Sequence, residues 1–530
     1  MADEQTPLLD VEAHAPRPKS ASAVIGVLLI GVFIANAEGS LVLATNSQIA
    51  SDLGRLEDAS WLVTSYILAM TAAQPLYGKL SDIFGRSNLL IVGYFFFSLG
   101  CLICGLAPSL PIAILGRAIS GIGGAGMGSL VSICITDLVP KRDIAPWRSY
   151  VNVVATVSRS LGGPVGGYLA DSVGWRWTFL GQCPPTLLAI ILTARLVPST
   201  STEEDAESTE FSSPLARFSR IDWAGALCMV VAIVSLLLPL EMAGPRLPWT
   251  HPFILGCLVL SAVTICLFVV VELRWAAEPI FPLRVLRSRT VVLAYLTTFF
   301  QTSAQLGMMY SVPLFFQLVE NASASVAGAH LFPAIAGVAV AGLIGGHAIR
   351  RFGRYKWLLV VATVLSSICY LLLVLRWTGH INLWESLYIV LGGLGNGLVQ
   401  AAGFIALTSS ITKADMAVAS SGYYLSSNIG TVFGMAATNA IFQTTLREDL
   451  EQRLAGHEAR KKIIDSVLSN IDYIRRLTGP LHETIVKACV NGLEYGHMLQ
   501  LGLALAAFIC VLFLREQKLE GEESEEGEDS

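Results

Sequence analysis

Gly78-Lys79-Leu80-Ser81-Asp82-Ile83-Phe84-Gly85-Arg86 separates two long apolar runs, and a looser copy, Gly345-Gly346-His347-Ala348-Ile349-Arg350-Arg351-Phe352-Gly353-Arg354, fills an equivalent gap far downstream. Small residues at such a turn let two helices approach closely, while the charges stay at the membrane interface. The recurrence predicts two related membrane halves that latch and unlatch at these joints. Composition agrees: of 530 residues 53% are hydrophobic and 14% charged, with mean hydropathy +0.61. A water-soluble domain carries about 25% charged residues, so the soluble classes are excluded and an integral membrane protein is expected.

A helix needs roughly 20 apolar residues to cross a ~30 Å hydrocarbon layer, and its backbone polar groups must be satisfied internally. Runs of that length predict spans at 23–45, 59–78, 88–107, 111–135, 149–169, 178–197, 222–242, 252–272, 291–317, 326–348, 357–376, 386–409, 416–442 and 496–514. The fold expected is all-α, two six-helix halves with two inserted helices, about fourteen spans in all. The units are a cytosolic tail (1–22), an N-terminal half (23–197), a cytosolic loop (198–221), the inserted pair with its linker (222–289), a C-terminal half (290–514) and a cytosolic tail (515–530). An even count puts both termini on one face. Arg17, Lys19, Lys79, Arg86, Lys141, Arg142, Arg148, Arg217, Arg220, Arg284, Arg287, Arg289, Arg350, Arg351, Arg354, Lys356, Lys413, Arg515 and Lys518 fall on that face, which makes it cytosolic.

The net charge of −5 reflects solvated acidic segments, Glu203–Glu210 and Glu520–Asp529. The ten cysteines lie mostly within apolar runs, so neither a disulfide framework nor a metal site is expected, and no cofactor or nucleic acid. Residues 1–20 are polar and the run after them lacks a cleavage pattern, so the first run reads as a retained span. The loop 446–490 falls on the far, lumenal face, and its apolar spacing at Leu450, Leu454, Ile463, Ile464, Val467 and Leu468 predicts amphipathic helices over the bundle mouth. The sequon Asn321-Ala322-Ser323 lies on the same face, where a glycan at Asn321 is topologically possible.

The two turns, together with Leu115-Gly116-Arg117-Ala118-Ile119-Ser120-Gly121 and Gly163-Pro164-Val165-Gly166-Gly167, resemble the major facilitator superfamily, and within it the fourteen-span drug:proton antiporters. Span one departs from that group's pattern by carrying Glu38, in Asn36-Ala37-Glu38-Gly39-Ser40, where an aspartate is usual; Arg159 stands where a small residue is usual. Both departures are similar to the fungal vacuolar transporters of basic amino acids. The resemblance implies a gating role for Gly78, Asp82, Gly85 and Arg86, with Asp82 and Arg86 latching the halves, and a proton-coupling role for Arg117. In the tail, Glu4-Gln5-Thr6-Pro7-Leu8-Leu9 has the acidic dileucine form that sorting adaptors read, with Glu4, Leu8 and Leu9 as its anchors.

An ionisable side chain in mid-membrane costs ~2.5 to 3.5 kcal/mol on insertion scales, so Glu38, Arg117 and Arg159 are candidates for proton coupling. A buried acid that binds either a proton or a cationic substrate, but not both, performs exchange; a static packing pair is the alternative for Glu38 and Arg117. Asn36, Glu38, Ser40, Tyr310 and Asn396 are the candidate substrate contacts, with Asn36 and Ser40 four apart on one helix face. Gly163, Pro164, Gly166 and Gly167 read as close helix packing with a bend. The function expected is proton-coupled antiport of amino acids, basic ones first, from cytosol into the vacuole across its membrane. The alternatives are a multidrug or toxin antiporter at the plasma membrane, and a transport-dead nutrient receptor or scaffold. No nucleophile elbow or phosphate-binding loop suggests an enzyme.

Overall fold

A computed structural model describes residues 21–516 except 56–57, 60, 140, 198–220, 243–246, 249, 276–278, 323, 380, 413–414, 456–459, 470–473 and 475–478. The sorting motif at Glu4, Leu8 and Leu9 and both acidic segments lie outside the described residues. Among the described residues, fourteen segments of spanning length follow in order. They are α1 (Ala21–Asp52), α2 (Trp61–Phe84), α3 (Arg86–Gly105), α4 (Leu110–Leu138), α5 (Lys141–Ser172), α6 (Arg176–Leu196, broken at Gly181 and Gln182) and α7 (Trp223–Met242). Then come α8 (Pro252–Arg274), α9 (Arg289–Val319), α10 (Phe332–Phe352), α11 (Lys356–Arg376), α12 (Ile389–Thr408), α13 (Met416–Arg453) and α14 (Pro480–Phe513). Ten of them combine spanning length with high mean hydropathy. The other four, α2, α5, α9 and α13, carry Gln74, Asn152, Gln305 and Asn428 into an internal cavity, so part of their surface never meets lipid.

Packing repeats with a shift of eight helices. In the first half α1 packs on α5, α2 on α4, α3 on α4 and α6, and α1 on α6. In the second, α9 packs on α13, α10 on α12, α11 on α12 and α14, and α9 on α14. The halves then meet through α2 against α13 and α5 against α10, which are two copies of one contact exchanged by the same shift. Backbone geometry repeats too: Gly85 (φ +87°) and Gly353 (φ +62°) both take left-handed conformations that favour glycine, each ending a long helix and starting the next. The glycines upstream of them set the joint. A side chain on Gly78 would meet the Ala417 carbonyl of α13 at 2.9 Å, and one on Gly346 would meet the Ala145 carbonyl of α5 at 2.8 Å.

The inserted α7 and α8 pack on each other, and α7 reaches both halves, at α2 and α13. Their linker is pinned: the Phe281 amide donates to Glu272 Oε1 (3.0 Å), and Arg284 pairs with Asp415 at the start of α13 (2.8 Å). On the face away from the termini α13 and α14 run well past the predicted span limits. At 1.5 Å per residue the 38-residue α13 is about 57 Å long, nearly twice the hydrocarbon thickness. Its projecting Leu446, Leu450 and Leu454 bury against Ile463, Ile464 and Val467 of the short helix Arg460–Ser469 and against Ile485, Ala488 and Cys489 of α14. The segment read as loop 446–490 is thus largely helical, its apolar stripe turned onto the bundle. Asn321 is exposed just beyond α9 with φ +51°, while its sequon partner Ser323 lies outside the described residues.

Candidate functional site

Between the halves lies a cavity of about 280 Å³. From the first half it is lined by Asn36 of α1, Tyr66 and Gln74 of α2, and Arg148, Asn152 and Arg159 of α5. From the second it takes Gln305 of α9, Asn396 and Gln400 of α12, and Tyr424 and Asn428 of α13. Amides and two guanidinium groups line it; none of the lining residues is acidic. Of the predicted substrate contacts Asn36 and Asn396 meet here, together with Arg159, one of the predicted proton-coupling residues. Arg159, open to the cavity, donates through Nε to Asn36 Oδ1 (3.2 Å), and no carboxylate among the described residues pairs with it. Asn396 keeps its Oδ1 buried without a protein donor, and Asn152 its Nδ2 without an acceptor.

Glu38 and Arg117 stand elsewhere. They form an ion pair 0% and 1% exposed, inside the first half between α1 and α4. Arg117 holds one carboxylate oxygen and the Gln182 amide of α6 holds the other, while Arg117 Nε reaches the Leu62 carbonyl (2.8 Å) and Gln182 also reaches Thr178 (2.8 Å). Neither side chain lines the cavity. One residue links the two places: the guanidinium of Arg117 lies 4.3 Å from the ring centroid of Tyr66, and Tyr66 lines the cavity with its hydroxyl unpartnered.

Ser40 and Tyr310 are also outside the cavity lining. Ser40 bonds the Ala37 carbonyl (3.0 Å) and packs against Gly162, whereas Tyr310 donates to Asn439 (2.7 Å) within the second half. Gly166 touches Leu41 of α1 so closely that an added carbon would lie 3.0 Å from its Cα, whereas Gly163 and Gly167 face open space. Arg86 pairs with Asp82 (2.5 Å) and with Asp137 at the end of α4 (3.1 Å), all within the first half. An ion pair that does cross the joint comes from the second copy of the turn, where Arg350 pairs with Asp143 of α5 (3.1 Å).

Sequence reasoning counted Arg148 among the interfacial cations and so missed it as a site residue. It is 1% exposed at the cavity floor, its Nη1 donating to Ser132 of α4 and to Tyr424 of α13. The signal was present in the Pro146-Trp147-Arg148-Ser149-Tyr150 context, which is too apolar around one arginine for a solvated turn. Nearby, Asn428 and Gln74 bond across the same joint.

The cross-half contacts at Gly78, Gln74, Arg148, Gly346 and Arg350 all lie in the part of the helices nearer the termini. The cavity therefore closes toward that face.

Comparison with known proteins agrees with this architecture. The vacuolar membrane amino acid uptake transporter fnx2 of Schizosaccharomyces pombe is 32% identical over 501 residues, covering 94% of this chain and 85% of that protein. The multidrug resistance protein fnx1 of the same yeast is 30% identical over 527 residues, 97% of each chain. Vacuolar basic amino acid transporter 2 of Saccharomyces cerevisiae is 28% identical over 460 residues, 86% of this chain and 97% of that protein. Among solved structures, the proton:xylose symporter XylE superposes with a TM-score of 0.60 at 15% identity over 95% of this chain and 98% of its own, a likeness of fold. The Major Facilitator Superfamily signature itself matches residues 28–435, so this chain belongs to that superfamily of membrane transporters.

Proposed function

We propose that this protein is a proton-coupled antiporter that carries amino acids, basic ones among them, from the cytosol into an acidic vacuole. The central cavity carries the reading. At about 280 Å³ it sits at the lower edge of the ~300–1,000 Å³ range of drug-sized sites, a size suited to one small polar solute. Its lining offers guanidinium and amide donors for a carboxylate, and amide oxygens for an ammonium group. The likeness to two vacuolar amino acid transporters supports the cargo and the membrane, and the acidic dileucine of the tail supports delivery there.

Coupling is assigned to Glu38. Because the cavity does not reach it, a cargo cation does not compete for this acid directly. Protonation instead strips Arg117 of its counter-charge, and Arg117 lies over Tyr66, a wall of the cavity. Each pH unit across the membrane supplies ~1.4 kcal/mol per proton, or about tenfold accumulation. In vesicles with an acidic interior, labelled lysine and histidine are expected to accumulate roughly tenfold per pH unit for one-for-one exchange, and to leak out when a protonophore is added. Movement of cationic drugs with no amino acid uptake would favour the efflux reading. No solute movement under any gradient would favour the receptor reading.

A further inference from the structure

We propose that Arg148 is the receptor for the cargo's carboxylate, and that the carboxylate takes it at the expense of its tie to Tyr424, loosening the joint between the halves. The inference deepens the amino-acid reading above and rests on it for the identity of the cargo, though not for the chemistry of the receptor.

Arg148 is a buried cation without a buried anion. It is 1% exposed, no carboxylate among the described residues pairs with it, and Nη1 alone makes its hydrogen bonds, both to hydroxyls. Its guanidinium carbon lies 3.8 Å from the centroid of the Phe404 ring, which covers one face of the plane. Nε has no acceptor. The Nε and Nη2 edge is therefore free, and that is the edge on which a guanidinium binds a carboxylate through two parallel bonds. One helical turn along α5, Asn152 presents its Nδ2 with no acceptor as a further donor. Neutral partners compensate a desolvated charge poorly, so an anion gains more here than at Arg159, which is already open to water in the cavity.

The same guanidinium spans the joint. Arg148 belongs to the first half, while Tyr424 and Phe404 belong to the second, on α13 and α12. A carboxylate on the free edge draws Arg148 toward the cavity and offers charge in place of a phenol. A ligand shifts a two-state equilibrium only by its differential affinity for the states, and here the difference resides in the bond to Tyr424.

The test uses purified full-length protein and titrates L-lysine, L-lysinamide, L-histidine, L-histidinamide and propionate, reading dissociation constants by calorimetry. The expected result is that at least one free acid binds tenfold or more tightly than its amide. Arg148→Gln should bring that ratio below twofold. Arg148→Lys, which keeps the charge and loses the planar fork, should retain part of it and guards against misfolding of the first variant. Tyr424→Phe should tighten binding of the acid severalfold relative to its amide. Equal binding of acid and amide by the unaltered protein, a ratio unmoved by Arg148→Gln, or no binding of any probe overturns the proposal. Arg148-dependent binding of propionate with no binding of either amino acid overturns the amino-acid reading while the receptor stands.

Discussion

Both oxygens of Glu38 are held by side chains of its own half, Arg117 on one and Gln182 on the other. Removing one member of such a buried pair costs about 3–5 kcal/mol, because the charge left behind is uncompensated, whereas removing both charges together is often close to neutral. That asymmetry separates packing from coupling. Glu38→Gln is expected to lower thermal stability and to abolish proton-driven uptake; Glu38→Gln with Arg117→Gln should recover most of the stability and none of the uptake. Uptake that returned with stability would make the pair a packing device. At this scale the sequence was informative about which residues ionise within the membrane and silent about where they point. Glu38 lies two positions from Asn36 on α1, which turns it about 200° around the helix, from the cavity into the half. Arg148 went unnoticed because α5 begins at Lys141, eight residues before the apolar run that hydropathy detects.

Helix contacts decide which glycines matter. Gly166 lies against α1, and Gly346 seats α10 on α5. Gly166→Val and Gly346→Val are expected to cost roughly 1–3 kcal/mol of packing or more, seen as lost uptake and a lower unfolding temperature. Gly163→Ala and Gly167→Ala, with nothing within 4 Å, should be tolerated or slightly stabilising, since alanine favours a helix by about 1 kcal/mol over glycine. Reversal of that order would mean that the α1–α5 contact is not where the helices meet. The motif around Pro164 was legible as packing, but motif letters do not distinguish the two glycines that touch α1 from the two that do not. Span existence was legible throughout, while the ends of α13 and α14 were not. Their projecting turns bury Leu450 and Ile485 in protein above the membrane rather than in lipid, so hydropathy gives no boundary there.

For the molecule as a whole, the contacts at Gly78, Gly346, Arg148 and Arg350 close one end of the cavity, the end nearer the termini. A cysteine placed at Ala155, which lines the cavity, in a protein freed of its ten native cysteines, should react with a membrane-impermeant thiol reagent added to the opposite face and resist the same reagent added to the face of the termini. Arg148→Gln should raise reactivity from the termini face. Equal labelling from both faces would contradict the closed end. The duplication that predicts this two-sided design was readable from the paired turns alone. Its asymmetry was not, because Arg350 of the second turn makes a cross-half ion pair while Asp82 and Arg86 of the first pair within their own half.

The cavity's two arginines both ride on α5, and the second half faces them with neutral amides and a phenol. On the transport reading proposed above, an empty carrier whose α5 moves through the electric field of the membrane takes that positive charge with it, and each elementary charge feels ~2.3 kcal/mol per 100 mV. An amino acid brings its carboxylate together with an ammonium group, so a neutral one leaves that charge unaltered and a basic one adds to it. On that reading the empty and the loaded passage are both voltage-sensitive, the loaded one the more so for a basic cargo.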